Sequence, residues 1–214
     1  MRKTIFALMG LFLGCLFVLP ANATLISVSG PESLLGGLPE IIPAPPDVND
    51  DAAYNFAMQG FDEKQQLTLP VDISVDDGTI AAGTVVSSHM IFLNTGPGNS
   101  RKKNIHLNVL WEFDGDILGV MSDAWGKLEI ASSPILGADG TLYPLSPFGA
   151  RGLEGGDSYT ISGQTLLVSM RVSEPGDWIR VITAAREPVP EPATMFLLGS
   201  GLVLLGAMKS RSKK

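Results

Sequence analysis

Cysteine is almost absent from this chain. Cys15 is the only one among 214 residues, and it lies inside an N-terminal apolar run. A body without that run has no thiol, so it holds neither a disulfide framework nor a cysteine metal site. Histidine is nearly as scarce, with His89 and His106 only. A hydrolase triad needs a nucleophile, a base and an orienting acid, and no Gly-x-Ser-x-Gly elbow is present. His89 falls on a largely apolar strand face and reads as a hydrogen-bonded core histidine. His106 alternates with apolar residues and reads as facing solvent or the opposite sheet surface. Neither supports catalysis, and the chain is expected not to be an enzyme. Cations are also few in the body. Residues 24–188 hold 21 acids against nine Lys and Arg, a net of −12. So acidic a surface repels phosphate, which excludes nucleic acid as a partner. Helical periodicity is rare too, with Asp51 to Met58 the one short candidate.

The two ends have what the body lacks: long apolar runs beside positive charge. Arg2 and Lys3 precede the run Ile5 to Leu19, and Ala21-Asn22-Ala23 has the small-x-small pattern of a signal peptidase site. Cleavage is expected after Ala23, making 1–23 a signal peptide and Thr24 the mature N-terminus. Phe12-Leu13-Gly14-Cys15 is a loose lipoprotein-type alternative. Cleavage there would leave Leu16 to Leu19 as an apolar stub.

At the other end, Val189-Pro190-Glu191-Pro192-Ala193 stands before fifteen uncharged residues, Thr194 to Met208. Lys209, Arg211, Lys213 and Lys214 close the chain. At about 1.5 Å per residue a helix over 194–208 spans roughly 22 Å, short for a hydrocarbon core of about 30 Å. The four cations act as a stop and keep the C-terminus cytoplasmic. Pro190 and Pro192 keep the segment around Glu191 extended and exposed, as a processing enzyme would need. An unprocessed single-pass anchor is the plainer alternative. This tripartite tail, 188–214, resembles the PEP-CTERM sorting signal of exported bacterial proteins. The resemblance implies recognition by exosortase, a membrane-embedded transpeptidase-like enzyme, in bacteria that make extracellular polysaccharide.

Between the ends, residues 24–50 read as a lead-in rich in proline and glycine, with Pro31, Pro39, Pro43, Pro45, Pro46, Gly30, Gly36 and Gly37. Residues 51–187 read as the passenger domain. Leu67, Leu69, Val71, Ile73 and Val75 alternate with polar residues up to Asp77-Gly78, a strong hairpin cue. Pro70 marks that run as an edge strand or a bulge. Val85 to Leu93 is apolar on both faces, as a central strand would be. Ile105, Leu107, Val109, Trp111 and Phe113 alternate again. Further strands are expected at 128–131, 158–162, 165–173 and 178–184. Short strands separated by turns predict a mostly β chain: an antiparallel, jelly-roll-like β-sandwich ectodomain between a signal helix and a transmembrane helix. Stretches such as Phe61 to Gln65, Gly78 to Val86, Ser88 to Asn94, Phe113 to Val120 and Gly149 to Glu154 resemble uncharacterised passenger domains joined to the same tail. That likeness covers about residues 50–187 and implies no activity.

Asp47, Asn49 and Asp51 have the i, i+2, i+4 spacing of a calcium loop, although Ala52 and Met58 stand where an EF-hand has Gly and Glu. Asp in turns more often caps backbone groups. Asp76-Asp77, Asp114, Asp116 and Asp157 are further turn acids. Trp111 is expected in the core, whereas Trp125, beside Asp123 and Gly126, is the candidate for stacking on a sugar ring. Arg151 is a candidate functional residue or a partner of Glu154. The expected role is a non-enzymatic surface or matrix protein associated with exopolysaccharide or biofilm. The alternatives are a carbohydrate-binding module or a polysaccharide-active enzyme using Asp114 with Asp116, or Glu154 with Asp157.

Overall fold

The computed structural model describes residues 24–49, 52, 55–95, 103–173 and 175–185. The apolar runs Ile5–Leu19 and Thr194–Met208 lie outside these residues. Among the described residues, no helix is long and apolar enough to cross a membrane.

The body is mostly β. One sheet has the order β1-β8-β11-β10, with β1 Leu25–Ser29, β8 Asn104–Phe113, β10 Ser158–Ser162 and β11 Thr165–Val172. The second runs β2-β3-β7-β12-β9, with β4 also paired to β7. Its strands are β2 Glu40–Ile41, β3 Gln59–Asp62, β4 Leu67–Thr68, β7 Val85–Leu93, β9 Ile117–Met121 and β12 Asp177–Ala184. The ladders are antiparallel except for β2, which lies parallel to β3 and makes this sheet mixed. The two sheets enclose an apolar core in which Val109, Trp111 and Phe113 of β8 and Leu166, Val168 and Met170 of β11 meet Ile91 and Leu93 of β7 and Ile179 and Val181 of β12. Each such side chain contributes about 1.5–3 kcal/mol on burial. Gly60 of β3 exists for this packing, because a Cβ there would come within 2.5 Å of the Trp111 ring.

The outer face of the second sheet is also covered. A hairpin of β5 (Ile73–Val75) and β6 (Gly78–Ile80) packs with helix α1 (Lys127–Leu136) over Val86, Met121 and Ile182. Val48, Ala138 and Tyr143 cover Phe61, Met90, Phe92 and Trp178. With both faces covered, β7 is buried from Val86 to Leu93 and β12 from Asp177 to Thr183, as parallel-sheet strands usually are and antiparallel ones seldom are.

Several expectations change. The run Leu67–Val75 is not one strand. It breaks between β4 and β5 across Pro70, which lacks a ladder donor. The strand expected at 128–131 is α1 instead. Gly126 at its N-cap has φ 62 and no side chain to cap with, so Asp123 caps from three residues upstream, its carboxylate accepting from the N–H groups of Lys127 and Leu128, each at 2.9 Å. Conversely, the described part of 51–58 contains no helix. The lead-in is woven into the fold, since β1 pairs with β8 and β2 with β3.

His106 is fully buried rather than on an outer surface. Asn108 adopts φ 56, and the β8–β11 register slips between Val168 and Met170. One added residue flips the face of everything beyond it, so Asn104 and His106 point inward on the same side as Val109 and Trp111.

Candidate functional site

The described body begins at Thr24, and two acids hold this end of it. Thr24 N–H donates to Asp114 Oδ1 at 2.9 Å, Leu25 N–H donates to Asp62 Oδ1 at 3.0 Å, and the Thr24 hydroxyl donates to Asp62 Oδ2. Asp62 also accepts from His89 Nδ1 at 2.7 Å, while His89 Nε2 lies 3.1 Å from the Thr183 hydroxyl. Burial pushes the Asp62 carboxyl up, but the hydrogen bonds from His89 and Thr24 outweigh it and hold it below the usual range. The order Asp62–His89–Thr183 imitates a hydrolytic triad, yet His89 and Thr183 are both fully buried. His89 is a satisfied core histidine, as its strand face predicted. His106 is satisfied as well: its Nδ1 accepts from Met58 N–H at 2.9 Å and its Nε2 donates to the Pro31 carbonyl at 2.8 Å. Burial lowers its pKa, partly offset by the Pro31 bond, and an acceptor Nδ1 requires the neutral ring.

A charged network underlies the outer layer. Arg180 is fully buried and grips Glu63 with two bonds, Nε to Oε2 at 2.6 Å and Nη2 to Oε1 at 2.7 Å. Its Nη1 donates to the Glu129 carbonyl and the Ser132 hydroxyl. Tyr143 and Ser88 add hydroxyl donors to Glu63, each at 2.6 Å. Burial works against the Arg180 charge, and Glu63 reverses the balance and raises its pKa. Arg151 is buried too, but it pairs with Glu129 at 2.5 Å rather than with Glu154. Its guanidinium stacks 4.3 Å from the Trp178 ring. Arg151 and Arg180 therefore tie α1 and the loops to β12. An arginine inside the apolar run Trp178-Ile179-Arg180-Val181-Ile182 was the sequence signal for such a partner.

Glu154, Asp157 and Asp177 come together, each offering an oxygen within 4.8 Å of the others'. Glu154 is exposed, Asp157 half-buried, and Asp177 is 2% exposed. Asp157 is held by its neighbours: Oδ2 accepts from Glu154 N–H at 3.2 Å and Oδ1 from Arg171 N–H at 2.6 Å. Asp177 Oδ2 is buried with no hydrogen-bond partner. Burial first, then the charges of Asp157 and Glu154, push the Asp177 carboxyl up to about 9. Burial also raises Glu154 and Asp157, with the mutual charge adding to Glu154. Glu154 and Asp157 were among the sequence candidates, but Asp177, just before the strand expected at 178–184, was not.

The other candidates scatter. Asp47 Oδ1 accepts from the backbone and side-chain amides of Asn49 at 2.8 and 2.7 Å, a turn of the ordinary capping kind, and Asp51 lies outside the described residues. Trp125 is 56% exposed, with its ring over Gly149. The motif Val189–Ala193, the stop Lys209, Arg211, Lys213 and Lys214, and the cleavage residues Ala21 and Ala23 also lie outside the described residues.

Residues 188–213 match the model of the PEP-CTERM protein-sorting motif. No curated protein and no solved structure matches the chain. The tail resemblance read from Val189–Ala193 is thus supported by an independent family model, and the chain carries the sorting motif of exported exosortase substrates.

Proposed function

We propose that this protein is a non-enzymatic passenger, carried out of the cell by a signal peptide cleaved after Ala23 and sorted by its C-terminal motif to act within surface exopolysaccharide or biofilm. The observation that carries this reading is the sorting motif at 188–213. Signal peptidase and an exosortase-type transpeptidase are its processing partners, and 194–208 is its transient membrane span. The jelly-roll-like sandwich is the ectodomain. The anchoring of Thr24 supports a mature body that starts at this residue, because cleavage would convert the N–H that donates to Asp114 into an ammonium facing that carboxylate, while the Thr24 hydroxyl stays on Asp62. It also takes Asp114 out of the acid pair that an enzyme reading would use. Trp125, standing half out of the surface, is the side chain with which the body would meet sugar rings.

Deleting Pro190–Lys214 in the native host tests the sorting step. The truncated body should no longer be delivered to the surface; unchanged delivery would sink the proposal. The competing reading, a polysaccharide-active enzyme with Glu154 and Asp157 as its acids, gains if the purified body depolymerises the host's own polysaccharide.

A further inference from the structure

The orphaned oxygen of Asp177 requires a physical account. Asp177 opens β12, and the next residues, Trp178 and Ile179, are sunk in two different cores. The side chain therefore cannot swing out to water without unseating the strand. Buried carboxylates without a donor are rare in folded proteins unless a proton or a cation satisfies them. Among the described residues no donor reaches this oxygen: Arg171 gives its backbone N–H to Asp157 and turns its guanidinium to the Gly156 carbonyl.

The arrangement around Asp177 fits an ion. Two oxygens bound to one calcium at about 2.4 Å lie at most about 4.8 Å apart, and the three acids meet that limit. Asp157 is fixed by two backbone N–H groups, each of which leaves a second lone pair on its oxygen. Glu154, exposed, leaves a side open through which an ion and its remaining waters can enter. The ligands are all hard oxygens, which suit calcium-class ions and not soft or nitrogen-seeking metals. We propose that Glu154, Asp157 and Asp177 form a site for one divalent cation of the calcium class, with the buried Asp177 oxygen as its innermost ligand. The site is distinct from the Asp47–Asp51 loop and does not depend on how the chain is sorted.

The competitor is a proton. A carboxyl ligand must give up any proton to bind a cation, so binding should strengthen as pH rises. The groups that face this exchange are Glu154, Asp157 and Arg171.

The experiment uses the full chain in detergent, stripped with a chelator and titrated with calcium chloride by calorimetry, with thermal melting in parallel. One ion per chain is expected, with a dissociation constant at or below the roughly 10⁻⁴–10⁻³ M of extracellular calcium modules, and a higher melting temperature. Glu154→Gln, an exposed change that spares the fold, should weaken binding by about tenfold or more, at least the cost of losing an outer partner of a metal ligand. Asp177→Asn should abolish it. If Asp177→Asn does not fold, Glu154→Gln decides alone. No saturable binding over that range overturns the proposal. So does binding unchanged in Glu154→Gln, which would assign the calcium to the diffuse acidic surface.

Discussion

Arg180 and Asp177 sit on the same strand, three residues apart and both buried, yet their surroundings are opposite. Arg180 has a bidentate carboxylate, a carbonyl and two hydroxyls around its guanidinium. Asp177 has two further acids and an oxygen with no partner. Burial of charge is tolerated when the partner is built into the fold. A completed network of this kind holds elements in place: it seats α1 and the Tyr143 segment on the sheet. An incomplete one calls for something from outside the chain. Arg151 stands between them. It has one bond to Glu129, a longer one from Nη1 to the Val48 carbonyl at 3.3 Å, and a stack on Trp178, while its Nη2 and Glu129 Oε1 are buried without partners.

Three substitutions grade this contrast. Arg180→Met should be the most damaging, about 3–5 kcal/mol by denaturant unfolding, because it leaves Glu63 buried without its counter-charge. A loss under about 1 kcal/mol would mean that the network is dispensable. Arg151→Met should cost less than Arg180→Met in the same assay, since part of its pairing is already missing and a methionine keeps the apolar contact with Trp178. An equal cost would erase the distinction between the two arginines.

Asp177→Asn should have the smallest effect below about pH 4, where the carboxyl is neutral whether folded or not, and acts through the pH dependence above it. The carboxyl rises from 3.8 to about 9 on folding, so the ion-free folded state keeps a proton that the unfolded chain releases. Stability from this group is fully present below about pH 4 and is lost as pH climbs to about 9. Glu154 and Asp157, also raised, act in the same direction; Asp62 and His106, both lowered, act oppositely, on acidification. Melting curves of the chelated protein across this window should fall with pH, and Asp177→Asn should flatten the fall. An unaltered slope would place the titration elsewhere.

How far the sequence reaches differs by feature. β7 was legible because both of its faces are apolar, and the fold indeed covers both. β8 was legible as a strand, but not in its facing: the bulge at Asn108 leaves no mark in the hydrophobic pattern, so His106 appeared outward and is inward. The helix at Lys127–Leu136 was missed because Leu128-Glu129-Ile130-Ala131 alternates like a strand, and its cap, Asp123, lies upstream of a glycine rather than at the usual position. Glu63, Glu129 and Arg180 are far apart in the chain, and only Arg180, set in an apolar run, hinted that a partner existed.

The C-terminal sorting motif was determined by sequence alone, because a linear signal is carried by the order of its residues, with no long-range contact required. The β character of the body and the acidity of its surface were equally local, set by alternation and composition. Tertiary structure alone decided which charges are satisfied. Chain closure brings Asp177 to Glu154 and Asp157 and gives Arg180 to Glu63, and the low dielectric of the interior turns the first meeting into a demand for a cation or a proton and the second into a clamp.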